Sequence, residues 1–191
     1  MKSLASRADV DALRLRLLSI RADSVRRWGQ MSAHQMICHL RDAFLMGTPG
    51  VPVSDVSHVA NRTIVKWIAL YAPARWPRGI QTRPEIDQVR GGGTTPAQFA
   101  DDVAALVALL EIVAANPQFF DGRPHPIFGP LSRSAWLRWG YLHVDHHLRQ
   151  FGLEPGAPVG RATFRRSCSH RSPTRRGRVY RSPASDRADG R

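Results

Sequence analysis

Apolar residues recur at intervals of three and four along most of this chain, and clusters of proline, glycine and small polar residues separate the runs. Between residues 7 and 20, Val10, Leu13, Leu17 and Ile20 form one stripe beside arginines, which predicts an amphipathic helix broken by Ala22-Asp23-Ser24. In the connector that follows, Trp28 is expected to cap the core, and Arg26 and Arg27 to be solvated or salt-bridged. Ser32-Ala33-His34-Gln35 has the S-x-x-Q pattern by which a side chain at each end satisfies two orphan amides at a helix start. A second helix is therefore expected, burying Met36, Ile37, Leu40, Ala43 and Phe44. On it His39 borders the apolar stripe, and His34 points to solvent.

Gly47 to Asp55 reads as a loop, and helical spacing returns from Val56 to Tyr71 through Val59, Ile64, Trp67 and Ile68. His58 belongs to the surface. Residues 74–93, with Pro77, Pro84 and Gly91-Gly92-Gly93, read as a long irregular crossover wrapped over the core. Thr95-Pro96-Ala97-Gln98 repeats the capping-box pattern with proline at the first helical position. It predicts a helix from Pro96 to Ala115 that buries Phe99, Val103, Leu106, Leu110 and Val113 and ends at Asn116-Pro117. A proline-stiffened loop, Gly122 to Leu131, carries His125 either to the mouth of a site or as loop filling. No alternating strand, hairpin signal or internal repeat is present. The pattern predicts an all-α fold: a helix bundle with one extra short helix and a long crossover over residues 1–156, then a disordered tail over 157–191.

The last helix bears the candidate chemistry. Leu131 to Gly152 has Ser132 as N-cap and Gly152 just past its end. At about 100° per residue, Arg138, Asp145 and Arg149 share one face, and Trp136, Gly140, His143, His147 and Phe151 share the opposite, core-facing one. His143 and His147 stand one turn apart, the spacing by which a helix offers two imidazoles to one transition metal. His146 lies one step round, so His143 with His146 is the alternative pair. The plain alternative is core-edge histidines satisfied by backbone or water. Asp42, three residues after His39, is expected to accept from that ring as an orienting partner, or else to be an ordinary exposed carboxylate.

Composition narrows the function. The chain has 191 residues, 42% of them hydrophobic, enough for one domain with a real core. No apolar run approaches a membrane span, the N-terminus lacks the apolar stretch of a signal peptide, and Cys38 and Cys168 make no disulfide framework. A cytoplasmic protein is expected. Of the net charge of +13, +8 lies in the tail from Gly160 onward, where ten arginines face Asp186 and Asp189. Nucleic acid would thus engage only that Arg-rich tail. No P-loop, G-x-G-x-x-G or Ser-His-Asp arrangement is present.

Three stretches resemble a known group: RRWGQMSAHQMICHLRDAF (26–44), TRPEIDQVRGGGTTPAQFADDV (82–103) and HPIFGPLSRSAWLRWGYLHVDHHLRQFG (125–152). They are similar to the DinB-like (YfiT-like) superfamily, most closely its bacterial branch called domain of unknown function 1569, over roughly residues 5–153. The resemblance implies a four-helix bundle holding a divalent metal, zinc or nickel first, on His39, His143 and His147. Asp42, His125, Trp136, Gly140 and His146 would line or support that site. It also implies thiol-dependent transferase or hydrolase chemistry on a small electrophilic substrate, with bacillithiol, mycothiol or glutathione as the low-molecular-weight thiol. A second expectation is a non-catalytic bundle acting by homodimerisation or partner binding, its open metal position plugged by Trp136, Trp139 or Tyr141. Nucleic-acid association through the tail is the third.

Overall fold

The structure, a computed structural model, describes residues 1–116 and 118–156. The Arg-rich tail expected over 157–191 lies outside the described residues. Five α-helices form the described chain: α1 (Arg7–Leu18), α2 (Ala33–Leu45), α3 (Lys66–Tyr71), α4 (Phe99–Ala115) and α5 (Arg133–Gln150). Among the described residues there is no strand, only isolated bridges at Thr48–Val51 and His125–Gly129. No described helix is long and apolar enough to cross a membrane.

Local side chains set most helix starts. Ser6 accepts from Asp9 N–H, and Ser132 from Ala135 N–H. At α2 the box is reciprocal: Gln35 N–H donates to Ser32 Oγ at 3.1 Å, and Ser32 N–H donates to Gln35 Oε1 at 2.9 Å. Gly152, at φ +81°, turns the chain out of α5, where its N–H donates to Arg149 O and Leu153 N–H donates to Leu148 O.

The second capping box does not form. α4 starts at Phe99, three residues later than expected, and no side chain caps it. Thr94 N–H and Oγ1 both donate to the Asp42 carboxylate, at 2.7 and 2.6 Å, and Ala97 N–H donates to Asp102. These bonds to side chains outside the box hold residues 94–97 out of a helix.

α1 and α2 each pack on both α4 and α5, while α3 packs on α5. Leu13, Leu17, Met36, Leu40, Phe44, Leu106, Leu110, Trp136 and Leu148 are fully buried between them. Each such side chain contributes about 1.5–3 kcal/mol of burial. Gly140, expected near the site, instead marks where α5 crosses the core. A Cβ there would stand 2.8 Å from Leu4 Cδ1 and 2.9 Å from Phe44 Cε1.

Two more expectations change. The face of α5 with Arg138, Asp145 and Arg149 is covered, not merely opposite the core. Arg16 donates to Asp145 Oδ1 at 2.7 Å and both are buried, while Arg138 donates to Lys2 O and Leu70 O. In the 56–71 segment the chain is helical from 59, and a π-turn at Asn61–Val65 precedes α3. The wide turn breaks the apolar spacing into two registers, so Val59, Ile64, Trp67 and Ile68 are exposed and only Leu70 is buried.

The crossover is irregular as expected apart from a 3-10 turn at Pro84–Ile86, and α2 pins it. Asp42 accepts from Gln88 Nε2 at 2.6 Å as well as from Thr94, and Gln35 Nε2 donates to Gln88 O at 3.0 Å. Asp42 is therefore buried and saturated, neither exposed nor a partner of His39.

A candidate metal centre at the floor of the cavity

His39 reaches inward from α2, and His143 and His147 from successive turns of α5. One donor nitrogen from each lies within 4.8 Å of the other two. His39 Nε2 and His143 Nε2 are 3.3 Å apart. Two nitrogens bound at about 2.1 Å to one tetrahedral ion are separated by about 3.4 Å, so this pair already has a ligand-pair spacing. The ring centroids of the three pairs lie 4.9–5.2 Å apart.

Hydrogen bonds decide the tautomers. His39 Nδ1 lies 3.0 Å from Ile86 O, a carbonyl that can only accept, so Nδ1 carries the proton and Nε2 the lone pair. His147 Nδ1 lies 3.0 Å from Gln150 Oε1. The Gln150 amide is itself oriented, because its Nε2 donates to Trp28 O at 2.9 Å. His147 therefore also presents an unprotonated Nε2. His143 Nδ1 is buried without a hydrogen-bond partner among the described residues. An acceptor on the other ring nitrogen is the usual support of a metal-ligating histidine, and two of the three rings have one.

Charge on these rings is disfavoured. Burial holds His39 below its ordinary value. It holds His143 and His147 well below theirs, with the neighbouring imidazoles acting in the same direction. Three neutral imidazoles facing one point are a donor set that repels protons and suits a soft-to-borderline divalent cation.

The site opens into a cavity of about 750 Å³ roofed by the crossover. Trp28, Trp76, Trp139, Met31, Ile86 and Phe128 line it along with the three histidines. His146 lines it too, edge-on to Trp28 at 4.7 Å, and burial lowers its pKa to about 4. Its ring packs on the indoles instead of joining the donor group. His125 both lines the cavity and braces its loop, Nδ1 accepting from Ile127 and Phe128 N–H, and burial lowers its pKa to about 3. Trp136, expected at the site, lies outside this cavity and stacks on Phe120 at 4.4 Å. Trp139 stands 4.8 Å from His143 and forms a wall of the cavity; neither Trp136 nor Tyr141 lines it. The arginines at the rim are matched by carboxylates: Arg90 with Asp87 at 3.6 Å, Arg83 with Glu85 at 3.8 Å.

Sequence reasoning overlooked Gln150 and Trp76. Gln150 was legible in principle, three residues after His147 and hence on its face. Trp76 sits in a segment without periodicity and left no signal. His34, expected in solvent, is half-buried and bonded to Asp102 of α4 at 2.7 Å.

Neither a curated protein nor a solved structure matches the chain. Residues 2–154 match the family described as Protein of unknown function (DUF1569), a span that takes in all five helices and the three convergent histidines, and the chain belongs to that family.

Proposed function

We propose that this protein is a divalent-metal-dependent member of the DinB-like superfamily, with His39, His143 and His147 as its ligands and a small molecule as its substrate. The observation that carries the reading is the tautomeric state of two rings. His39 and His147 spend their Nδ1 protons on Ile86 O and Gln150 Oε1, so their lone pairs turn toward the point that His143 Nε2 shares. The packing of α1 and α2 on both α4 and α5 supports a DinB-like four-helix bundle around that point.

When bound, zinc or nickel would act there as a Lewis acid and lower the pKa of a donor arriving from the cavity. The chain supplies the rest. The Trp28, Trp76 and Trp139 indoles exclude water around the donor group and offer flat apolar faces to a substrate. His146, kept neutral near pH 7 by burial, offers a hydrogen-bonding ring to a group bound at the cavity wall. A thiol-dependent transfer or hydrolysis on a small electrophile fits this combination, with a low-molecular-weight thiol as co-substrate.

Elemental analysis of the purified chain, reconstituted with zinc or nickel, tests the reading. It predicts about one ion per chain at this site, lost in His39→Ala and His147→Ala variants that still fold by circular dichroism. A folded chain whose metal content is the same with and without these histidines overturns it. The exposed apolar run Val59, Ile64, Trp67 and Ile68 favours homodimerisation as a second, compatible role. Sedimentation of a Trp67→Glu variant tests that role, and a wild-type chain that sediments as a monomer refutes it.

A further inference from the structure

α2 carries a second group of metal-type donors on the side that meets α4. His34 and Cys38 are one turn apart, the same i, i+4 spacing that pairs His143 and His147 on α5, and Asp102 of α4 faces them both. One donor atom from each lies within 4.8 Å of the other two. His34 Nε2 is 2.7 Å from Asp102 Oδ2, and Cys38 Sγ is 3.9 Å from the same oxygen. Since residues 38 and 39 differ by about 100° round the helix, Cys38 and His39 serve different neighbours. His39 looks to α5 and the cavity, Cys38 to α4.

We infer that His34, Cys38 and Asp102 form a second cation site, of thiolate–imidazole–carboxylate type, suited to zinc.

Three features support the assignment. Charge balances: a thiolate and a carboxylate offset a divalent ion, and His34 adds a neutral nitrogen. Access is one-sided, because Cys38 is buried while the His34 and Asp102 side chains keep 20% and 14% exposure, so an ion enters from solvent with sulfur at the bottom. The required adjustment is small. Around zinc, tetrahedral nitrogen–oxygen and sulfur–oxygen edges are about 3.4 and 3.6 Å. The present separations of 2.7 and 3.9 Å reach those values by side-chain movements of less than 1 Å. On binding, the Cys38 thiol and the ring nitrogen facing Asp102 release any protons they carry to solvent. The new bonds are sulfur–metal, nitrogen–metal and oxygen–metal, with no redox change. Ala97 N–H donates at 3.2 Å to the same Asp102 Oδ2 that faces His34 and Cys38, which fixes the position of the oxygen that would meet the ion.

The site is independent of the three-histidine centre, and sulfur provides the means to tell them apart. The test uses cobalt(II) on the full chain in a Cys168→Ser background, which removes the tail cysteine as a sulfur donor. The expected result is a thiolate-to-cobalt charge-transfer band that saturates on titration. The band survives His39→Ala with His147→Ala and is lost in Cys38→Ser and in Asp102→Asn. Should the double-histidine variant fail to fold, the comparison of Cys168→Ser with Cys168→Ser/Cys38→Ser remains decisive, since the imidazole centre contributes no sulfur band. Absence of the band from folded Cys168→Ser protein, or its persistence after Cys38→Ser, overturns the assignment. A Cys168→Ser protein with all three histidines intact that shows the band but binds no cobalt at the imidazole centre would instead count against the proposed function alone.

Discussion

Replacing Gln150 by leucine removes the acceptor of the His147 Nδ1 proton while keeping the side chain's approximate volume. With Gln150 Oε1 gone, no other described atom takes that proton, and His147 is free to carry it on Nε2, where it blocks the lone pair. Loss of such a supporting acceptor costs about 10–100-fold in metal affinity, or about 1.4–2.7 kcal/mol. The same change deletes the bond from Gln150 Nε2 to Trp28 O, and losing it lowers the stability of the metal-free fold by about 1 kcal/mol. Gln150→Glu separates the two effects. A carboxylate still accepts from His147 but cannot donate to Trp28 O, so this variant loses stability while keeping zinc affinity near or above wild type. Affinity is measured by competition with a chromophoric chelator in a Cys38→Ser, Cys168→Ser background, which removes both thiols as competing donors. Stability is read from urea unfolding of metal-free protein. Equal affinity losses in both variants would show that binding follows stability and not ring orientation, and would refute the argument. So would Gln150→Leu protein that binds zinc as tightly as its parent.

Gly140→Ala gains up to about 1 kcal/mol of helix propensity, but its methyl meets the Phe44 ring edge at 2.9 Å and Leu4 at 2.8 Å, an overpacking worth about 1–3 kcal/mol. A net loss is expected as a lower urea midpoint; a rise would mean that the crossing of α5 over Phe44 is loose. Arg16→Met strands the buried Asp145 carboxylate with only Arg149 as a cationic partner and should cost about 3–5 kcal/mol; a loss below about 1 kcal/mol would place that pair effectively in solvent. The metal-free chain should weaken as pH falls through about 6.5. His125 and His146 titrate in the fold at about 3 and about 4. Below the ordinary histidine pKa the unfolded chain therefore binds more protons, and stability drops until the folded pKa values are reached. Each such histidine contributes a loss of about 1.4 kcal/mol for every pH unit between its unfolded and folded pKa. His125→Asn, which keeps an acceptor in the loop, should flatten that dependence; an unchanged slope between about pH 4 and 6.5 would refute the assignment.

The features legible in the sequence were those that short-range physics fixes. Ser32 and Gln35 cap α2 because both partners of the box lie within one turn, and Gly152 ends α5 because its positive φ is a local property. The helical period likewise placed His143 and His147 side by side, and their placement with His39 follows from how α2 meets α5. What escaped was set by residues far apart in the chain. Thr95-Pro96-Ala97-Gln98 has the form of a helix start, but Asp42, more than fifty residues earlier, claims Thr94 and keeps the segment extended. That same carboxylate was expected to orient His39, a task taken by a backbone carbonyl at Ile86 that no side-chain pattern reveals. His34 left no trace of its bond to Asp102 because α2 and α4 are neighbours only in the fold.

Ile86 O belongs to a stretch of chain with almost no regular structure, yet it fixes which nitrogen of a helix-borne imidazole is bare. Strength at the donor cluster is thereby coupled to the fit of a strap held down through Gln88 and Thr94. A protease given access to residues 74–93 should cut more slowly once the cluster is loaded, and a cut there should loosen the cluster although every donor remains on an intact helix.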